Sequence, residues 1–222
     1  MQALSSDNIE ARCRIVVLIS GNGSNLQAII DHCNNGETPA EVVAVISNVQ
    51  SAFGLERARL AGIEARCLNH REFMSRGAFD EALTTLIEGF RPDLVALAGF
   101  MRILSPSFVD HFAGRLMNIH PSLLPQYPGL NTHRRVIADG AKVHGATVHF
   151  VTPDLDAGPV IIQGRVEICE DDSEHSLETR VHEVEHRIYP EAVRWFASGR
   201  LTLKEGVALL EDKPLHSQIS EK

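Results

Sequence analysis

The sequence predicts an α/β protein built on a mostly parallel central sheet. Two observations carry this. Short apolar runs rich in β-branched residues alternate with segments of helical period, the pattern of strand–helix–strand units. The first such run meets a glycine-rich turn that opens directly into a helix.

Taken in order, Arg14-Ile-Val-Val-Leu-Ile19 is a continuous apolar run, as in a central strand buried on both faces. Ser20-Gly-Asn-Gly-Ser-Asn25 follows, then Leu26 to Ile30 as helix. Glu41 to Ser47 is a second strand, and Gly54 to Ala61 a short helix closed by Gly62. Glu64 to Leu68 reads as a short third strand. From Arg76 to Phe90, apolar residues at Phe79, Leu83, Leu86, Ile87 and Phe90 have helical spacing. Leu94 to Ala98 is the fourth strand. Ser105-Pro106 starts a short helix, with Ser as cap and Pro in the first turn. Leu116 to His120 is the fifth strand, stopped by Pro121 and Pro125. The stretch 122–142 is rich in Pro, Gly, Gln, Asn and His, with a weak helix from His133 to Asp139, and is expected to act as a lid. Val143 to Val151 and Val160 to Ile168 are two more strands. Glu174 to Ala197 is the last long helix, with an interruption and kink expected at Tyr189-Pro190. Residues 1–12 read as a disordered lead-in and the polar stretch from about 214 to 222 as a loose tail, flanking one domain that takes in the whole chain, 1–222.

The 222 residues suit one domain of ordinary to large size, and 44% hydrophobic content supplies a core. No apolar run approaches the ~20 residues that span a bilayer, and the polar start of the chain does not read as a secretory signal. A net charge of −8 argues against non-specific nucleic-acid binding. Cys13, Cys33, Cys67 and Cys169 are widely spread without a C-x-x-C, so neither a zinc site nor a disulfide framework is indicated. Expected partners are therefore small molecules, not nucleic acid or membrane. A reducing cytoplasm is the expected location.

The chemistry gathers at strand ends. Asn118 and His120 are two apart, so an extended strand points both side chains the same way. An amide donor beside a titratable imidazole, at the carboxyl end of a strand, can hold a carbonyl oxygen and move a proton. In Ser20 to Asn25 the glycines allow unusual backbone angles and free helix-start amides point outward, which makes an anion cradle. The competing reading is a tight turn with Ser24 as helix cap. The dinucleotide spacing G-x-G-x-x-G is absent, because Leu26 follows, and there is no Walker Lys. Gly99-Phe-Met-Arg-Ile-Leu104 places bulky apolar residues and one cation just past a strand, fit to line a pocket with Arg102 at its rim. Thr152-Pro-Asp-Leu-Asp-Ala-Gly-Pro159 is an acid-loaded turn. Asp154 or Asp156 could be brought beside His120, where a carboxylate favours the imidazolium and orients the ring. His182 to His186 spells H-E-x-x-H on a helix, but without a further ligand in context it is not read as zinc.

Five stretches in this order resemble one family. Ser20-Gly-Asn-Gly-Ser-Asn25, Leu97 to Leu104, Asn118-Ile-His-Pro-Ser-Leu-Leu-Pro125 with Tyr127-Pro-Gly129, His144-Gly145 with Val148-His-Phe-Val151, and Asp154 to Pro159 resemble the folate-dependent formyltransferases. The likeness runs from about Arg14 to Arg200. It implies a Rossmann-like three-layer α/β/α formyltransferase fold with late antiparallel strands. It also implies direct transfer of the formyl group of 10-formyltetrahydrofolate to the amine of glycinamide ribonucleotide, in purine biosynthesis. Asn118, His120 and Asp156 are then the catalytic residues, and the resemblance selects Asp156 over Asp154. Ribonucleotide contacts fall on Gly23, Ser24, Asn25, Asn118, His182, Glu183, Val184 and Glu185. Folate contacts fall on Arg76, Met101, Arg102, Ile103, Leu104, Asn118, Thr152, Pro153, Asp154, Leu155 and Asp156. No metal is implied, and the expected state is a monomer or weak homodimer. The chain departs from the family pattern at His182, where Gln is common. The alternatives are a formyltetrahydrofolate hydrolase, a formyltransferase acting on charged tRNA, and a catalytically silent nucleotide-binding module.

Overall fold

A computed structural model describes residues 12–215 and the backbone of 219–220. The expectation of a disordered lead-in falls almost wholly outside those residues. The elements are β1 (Cys13–Ile19), α1 (Ser24–Asn34), β2 (Ala40–Ser47), α2 (Phe53–Leu60), β3 (Glu64–Cys67), α3 (Arg76–Glu88), β4 (Leu94–Leu97), α4 (Pro106–His111) and β5 (Leu116–His120). They continue with α5 (Thr132–Ala138), β6 (Val143–Phe150), β7 (Val160–Glu167), α6 (Glu174–Ala197), β8 (Leu201–Lys204), β9 (Val207–Leu210), β10 (Lys213–Pro214) and β11 (Ile219–Ser220).

The main sheet has the order β11-β7-β6-β5-β4-β1-β2-β3. It is parallel except at β6, which runs antiparallel to both β5 and β7. β1 explains the layering. Ile15 to Ile19 have no exposed surface, and alternate residues of a strand face opposite sides. Ile15, Val17 and Ile19 pack into a core shared with α1, α2, α5 and α6. Val16 and Leu18 pack into a second core with Phe79 and Leu83 of α3 and Phe108 of α4. The result is helices on both faces of one sheet, which is why the strands read as unbroken apolar runs rather than alternating ones.

Three expectations change. The tail is not loose where it is described. β8, β9 and β10 form a small antiparallel sheet, turned at Glu205-Gly206, both with positive φ (52° and 77°), as a tight hairpin requires. Leu201, Ala208 and Leu215 bury into the core beside α6, and β11 pairs in parallel with Gln163–Gly164 of β7. Residues 216–218 and 221–222 lie outside the described part. The interruption at Tyr189-Pro190 is absent, because α6 runs unbroken from Glu174 to Ala197 with Pro190 buried inside it. Tyr189 donates to the carbonyls of Leu97 (3.0 Å) and Met117 (3.3 Å), so tertiary anchoring outweighs the missing helical bond, a loss of about 3 kcal/mol in an isolated helix.

The third concerns 122–142. Its first part is tied down by a buried polar network. Thr147 Oγ1 donates to Ser122 O (2.6 Å) and accepts from Leu124 N (3.0 Å) and from Gln163 Nε2 (2.9 Å). Gln163 Nε2 also donates to Leu124 O (2.8 Å). Ser122 to Leu124 therefore belong to the fixed frame beside the site and not to a lid.

Candidate active site

The chain runs from β1 out to β3 and then crosses back to β4 on the other side of β1. That reversal leaves a crevice at the carboxyl ends of β1 and β4, where open α/β sheets take ligands. The cleft lies beside it, enclosing about 530 Å³ including its open mouth. Phe100, Arg102, Ile103 and Leu104 form one wall, Asn118 and His149 the floor, and Thr152 to Asp156 the other wall. The Arg102 guanidinium lies over the Phe79 ring at 5.0 Å, a cation–π contact that holds the charged head against this wall.

Antiparallel pairing sets Asn118 opposite His149, and Asn118 Nδ2 sits 3.2 Å from His149 Nε2. His149 Nδ1 lies 2.9 Å from Phe150 O. A carbonyl only accepts, so Nδ1 carries the proton and Nε2 accepts from the Asn118 amide. Burial pushes His149 below its ordinary pKa and keeps it neutral, as this arrangement needs. The Asn118 amide is thereby oriented, with its second N–H free for the cleft.

His120 is held on the same strand between two acceptors. Its Nε2 lies 3.0 Å from Tyr127 O and its Nδ1 3.5 Å from Asp156 Oδ2. Both ring nitrogens therefore face oxygen atoms. The same Asp156 oxygen accepts from Gly129 N at 2.8 Å, so the acid turn and the Tyr127–Gly129 loop close around the imidazole. Asp156 holds φ at 51°, an unusual backbone state of the kind that collects at functional sites. Asp154 is exposed and its backbone carbonyl accepts from Thr152 Oγ1 at 3.4 Å. Of the two acids, Asp156 is the one that meets His120.

The glycine loop lies at the start of α1. Gly23, not Ser24, is the N-cap, with φ at 76° and no side chain capping the helix. Ser24 is therefore the first helical residue, and the first-turn amides are left for a ligand. The loop is fixed from outside. Gly54 N donates to Gly21 O (3.1 Å), and Arg57 donates to Asn22 O (2.9 Å) and Asn22 Oδ1 (3.0 Å). A Cβ on Gly23 would stand 2.7 Å from Gly54 Cα, so the two backbones touch where no side chain fits. Asn25 Nδ2 donates to Glu185 Oε2 at 2.7 Å. Burial raises the Glu185 carboxyl above its usual range, while Asn25 Oδ1 is buried without a protein partner.

Not every residue suggested by resemblance lies at these places. Arg76 is exposed at the start of α3 and does not line the cleft. Met101 is 67% exposed and takes part through its backbone amide alone. Val184 is buried against Gly164 of β7, and Glu183 is exposed. His182 and His186 stack at 6.2 Å between ring centres, and no group of three metal-ligating side chains occurs among the described residues. His149 was not singled out from sequence, nor was Arg57. A His within the apolar run from Val148 to Val151 was the available signal, but its use depends on the β5–β6 register.

An α/β sheet whose switch-point crevice joins an uncapped helix start to an amide, two imidazoles and a carboxylate describes a group-transfer enzyme acting on small molecules. Residues 13–193 match the formyl transferase family, and the chain belongs to it. It is 56% identical over 204 residues to the phosphoribosylglycinamide formyltransferase of Escherichia coli K12, covering 92% of this chain and 96% of that one. The solved phosphoribosylglycinamide formyltransferase of Coxiella burnetii superposes with a TM-score of 0.91 at 50% identity, covering 94% of this chain and 99% of that one. The trifunctional purine biosynthetic protein adenosine-3 of Bos taurus is 47% identical over 194 residues, which are 87% of this chain and 19% of that protein.

Proposed function

We propose that this chain transfers the formyl group of 10-formyltetrahydrofolate to the amine of glycinamide ribonucleotide in purine biosynthesis. The observation that carries this is the cluster of Asn118, His149, His120 and Asp156 beside an apolar cleft, next to an uncapped helix start. Near-full-length similarity to phosphoribosylglycinamide formyltransferases supports the choice of substrates.

The acceptor's phosphate binds the amides at Gly23, Ser24 and Asn25, and its ribose lies toward Glu185 and His182. The folate ring enters the cleft between the Arg102–Leu104 wall and the Thr152–Asp156 turn. The amine nitrogen attacks the formyl carbon, and the carbonyl π electrons move to oxygen. Asn118 donates its free amide N–H to that oxyanion, because His149 holds the other. His120, held between Tyr127 O and Asp156, stabilises the intermediate and gives a proton to the departing folate nitrogen. Asp156 takes up the proton that the amine loses, directly or through a water. No side chain attacks, so no acyl-enzyme forms. No metal is needed for any of these steps.

The reading takes residues 1–222 as one formyltransferase domain, working in the cytoplasm as a monomer or weak homodimer without nucleic acid or membrane. The net charge of −8 supports this, and no described helix is long and apolar enough to cross a membrane. The test is an assay with both substrates against each alone. Formylated ribonucleotide should appear only when both are present. Comparable loss of 10-formyltetrahydrofolate in water alone would instead establish a hydrolase.

A further inference from the structure

We propose that Ser20 couples the two halves of the cleft, acting as a positioning residue for both ligands. This rests on the function proposed above and adds how the two sites communicate. Ser20 directly follows β1 and stands three residues before the N-cap Gly23. Its backbone N–H donates to Gly99 O at 3.0 Å, and its Oγ accepts from Met101 N at 2.7 Å. Two bonds from one residue thus span the turn after β4. The hydroxyl has a single proton, and it goes to Asn48 Oδ1 at 2.5 Å. His70 Nδ1 lies 3.2 Å from Asn48 Nδ2 and 3.1 Å from the Asn48 backbone carbonyl, so the ring packs against Asn48 on the side away from Ser20 Oγ.

The two loops joined here have separate duties. The Ser20 side leads to the uncapped start of α1. The Met101 side leads directly into Arg102, Ile103 and Leu104, which line the cleft. An anion on the helix-start amides fixes the first loop, and Ser20 carries that order across to the Met101 amide. By thermodynamic reciprocity, a ligand in the cleft orders the first loop by the same factor. Met101 is exposed, so its amide can take a water if the hydroxyl is lost. Removing the hydroxyl therefore takes away the side-chain link to Met101 and leaves the backbone bond from Ser20 to Gly99 O in place.

Tetrahydrofolate and glycinamide ribonucleotide together cannot react, so their mutual effect is readable at equilibrium. Each is titrated by calorimetry alone and in the presence of the other, into the wild-type chain, Ser20→Ala and Ser20→Thr. In the wild type each ligand should tighten the other by roughly 3- to 10-fold, the scale of one hydrogen bond. In Ser20→Ala each should bind alone within about 3-fold of wild type, while the mutual effect falls to about 1, as expected when a single coupling contact is lost. Ser20→Thr, which keeps the hydroxyl, should restore it. An unchanged mutual effect in Ser20→Ala overturns the proposal. So does a wild-type chain that binds both ligands independently, or an alanine variant that loses both single affinities equally, as a purely structural role requires. A wild-type chain that binds neither ligand overturns the functional reading and this inference with it.

Discussion

Asp156→Asn isolates charge from shape. Asparagine matches the size of aspartate and is among the few residues that tolerate the φ of 51° found here. Its side-chain oxygen can still accept from Gly129 N, which Asp156 Oδ2 now does at 2.8 Å. What disappears is a full negative charge 3.5 Å from His120 Nδ1. At an effective dielectric of about 20, such a charge attracts a positive charge developing on the ring by about 4–5 kcal/mol. The His120 side chain is only 7% exposed, and burial opposes charge, so about half of that is expected to survive as transition-state stabilisation. At about 1.4 kcal/mol per tenfold, kcat should fall by about 30- to 60-fold, with an upper limit near 10³. Both KM values should stay within about 3-fold, because the interaction acts on charge that develops in the reaction. Initial rates with each substrate varied in turn give both numbers. A kcat within about 3-fold of wild type would refute the reasoning and reduce Asp156 to a turn residue.

Other perturbations separate the remaining parts. Gly23→Ala combines a positive φ with a Cβ 2.7 Å from Gly54 Cα. It should raise the ribonucleotide KM by about 10-fold or more while moving the folate KM by less than about 3-fold; equal changes would indicate a folding defect. Thr147→Val keeps volume but leaves Ser122 O, Leu124 N and one Gln163 contact without the hydroxyl. It should cost about 2–4 kcal/mol and lower the melting temperature by roughly 5–12 °C, read by calorimetry. His144 is 1% exposed, and burial, with the nearby His133 and His120, pushes its pKa down to about 4. The unfolded chain then binds more protons than the folded one between about 6.5 and 4. Its contribution is full above pH ~6.5 and is lost as pH falls towards 4, up to roughly 3 kcal/mol. Urea midpoints across that range should fall more steeply for the wild type than for His144→Asn, and parallel curves would place the acid sensitivity elsewhere.

Most of the main sheet was legible because its strands are buried on both faces, as Ile15 to Ile19 show. Runs of that kind have no rival reading when helices of clear period separate them. The small C-terminal sheet was not, because Leu201 to Lys204 and Val207 to Leu210 give only four residues each. The Glu205-Gly206 pair was the cue. Pro190 misled for a related reason. A local rule about proline cannot register that Tyr189, on α6, reaches two strand carbonyls of the sheet. Asn118 and His120 could be paired from a period of two, whereas the contact from Asp156 needed a fold. The partnership of Asn118 with His149 needed the antiparallel register of β6, which nothing in 116–151 specifies by itself. The apolar wall at 100–104 was recognisable from composition, but the exposure of Arg76 was not.

The contact between Gly23 and Gly54 has a genetic consequence. A substitution at most packed positions can be rescued by shrinking the neighbour it strikes. Here the neighbour is already glycine, and the atom struck is its main chain. No second-site change at 54 can make room for a side chain at 23. In the other direction, a Cβ at 54 would meet the Ile19 side chain at 2.4 Å and Gly23 Cα at 3.3 Å. Smaller residues at 19 could relieve the first of these, but nothing at 23 can relieve the second. A selection for revertants of a Gly23 variant should therefore return glycine itself, or shifts of the whole α2 start, and no compensating partner from position 54.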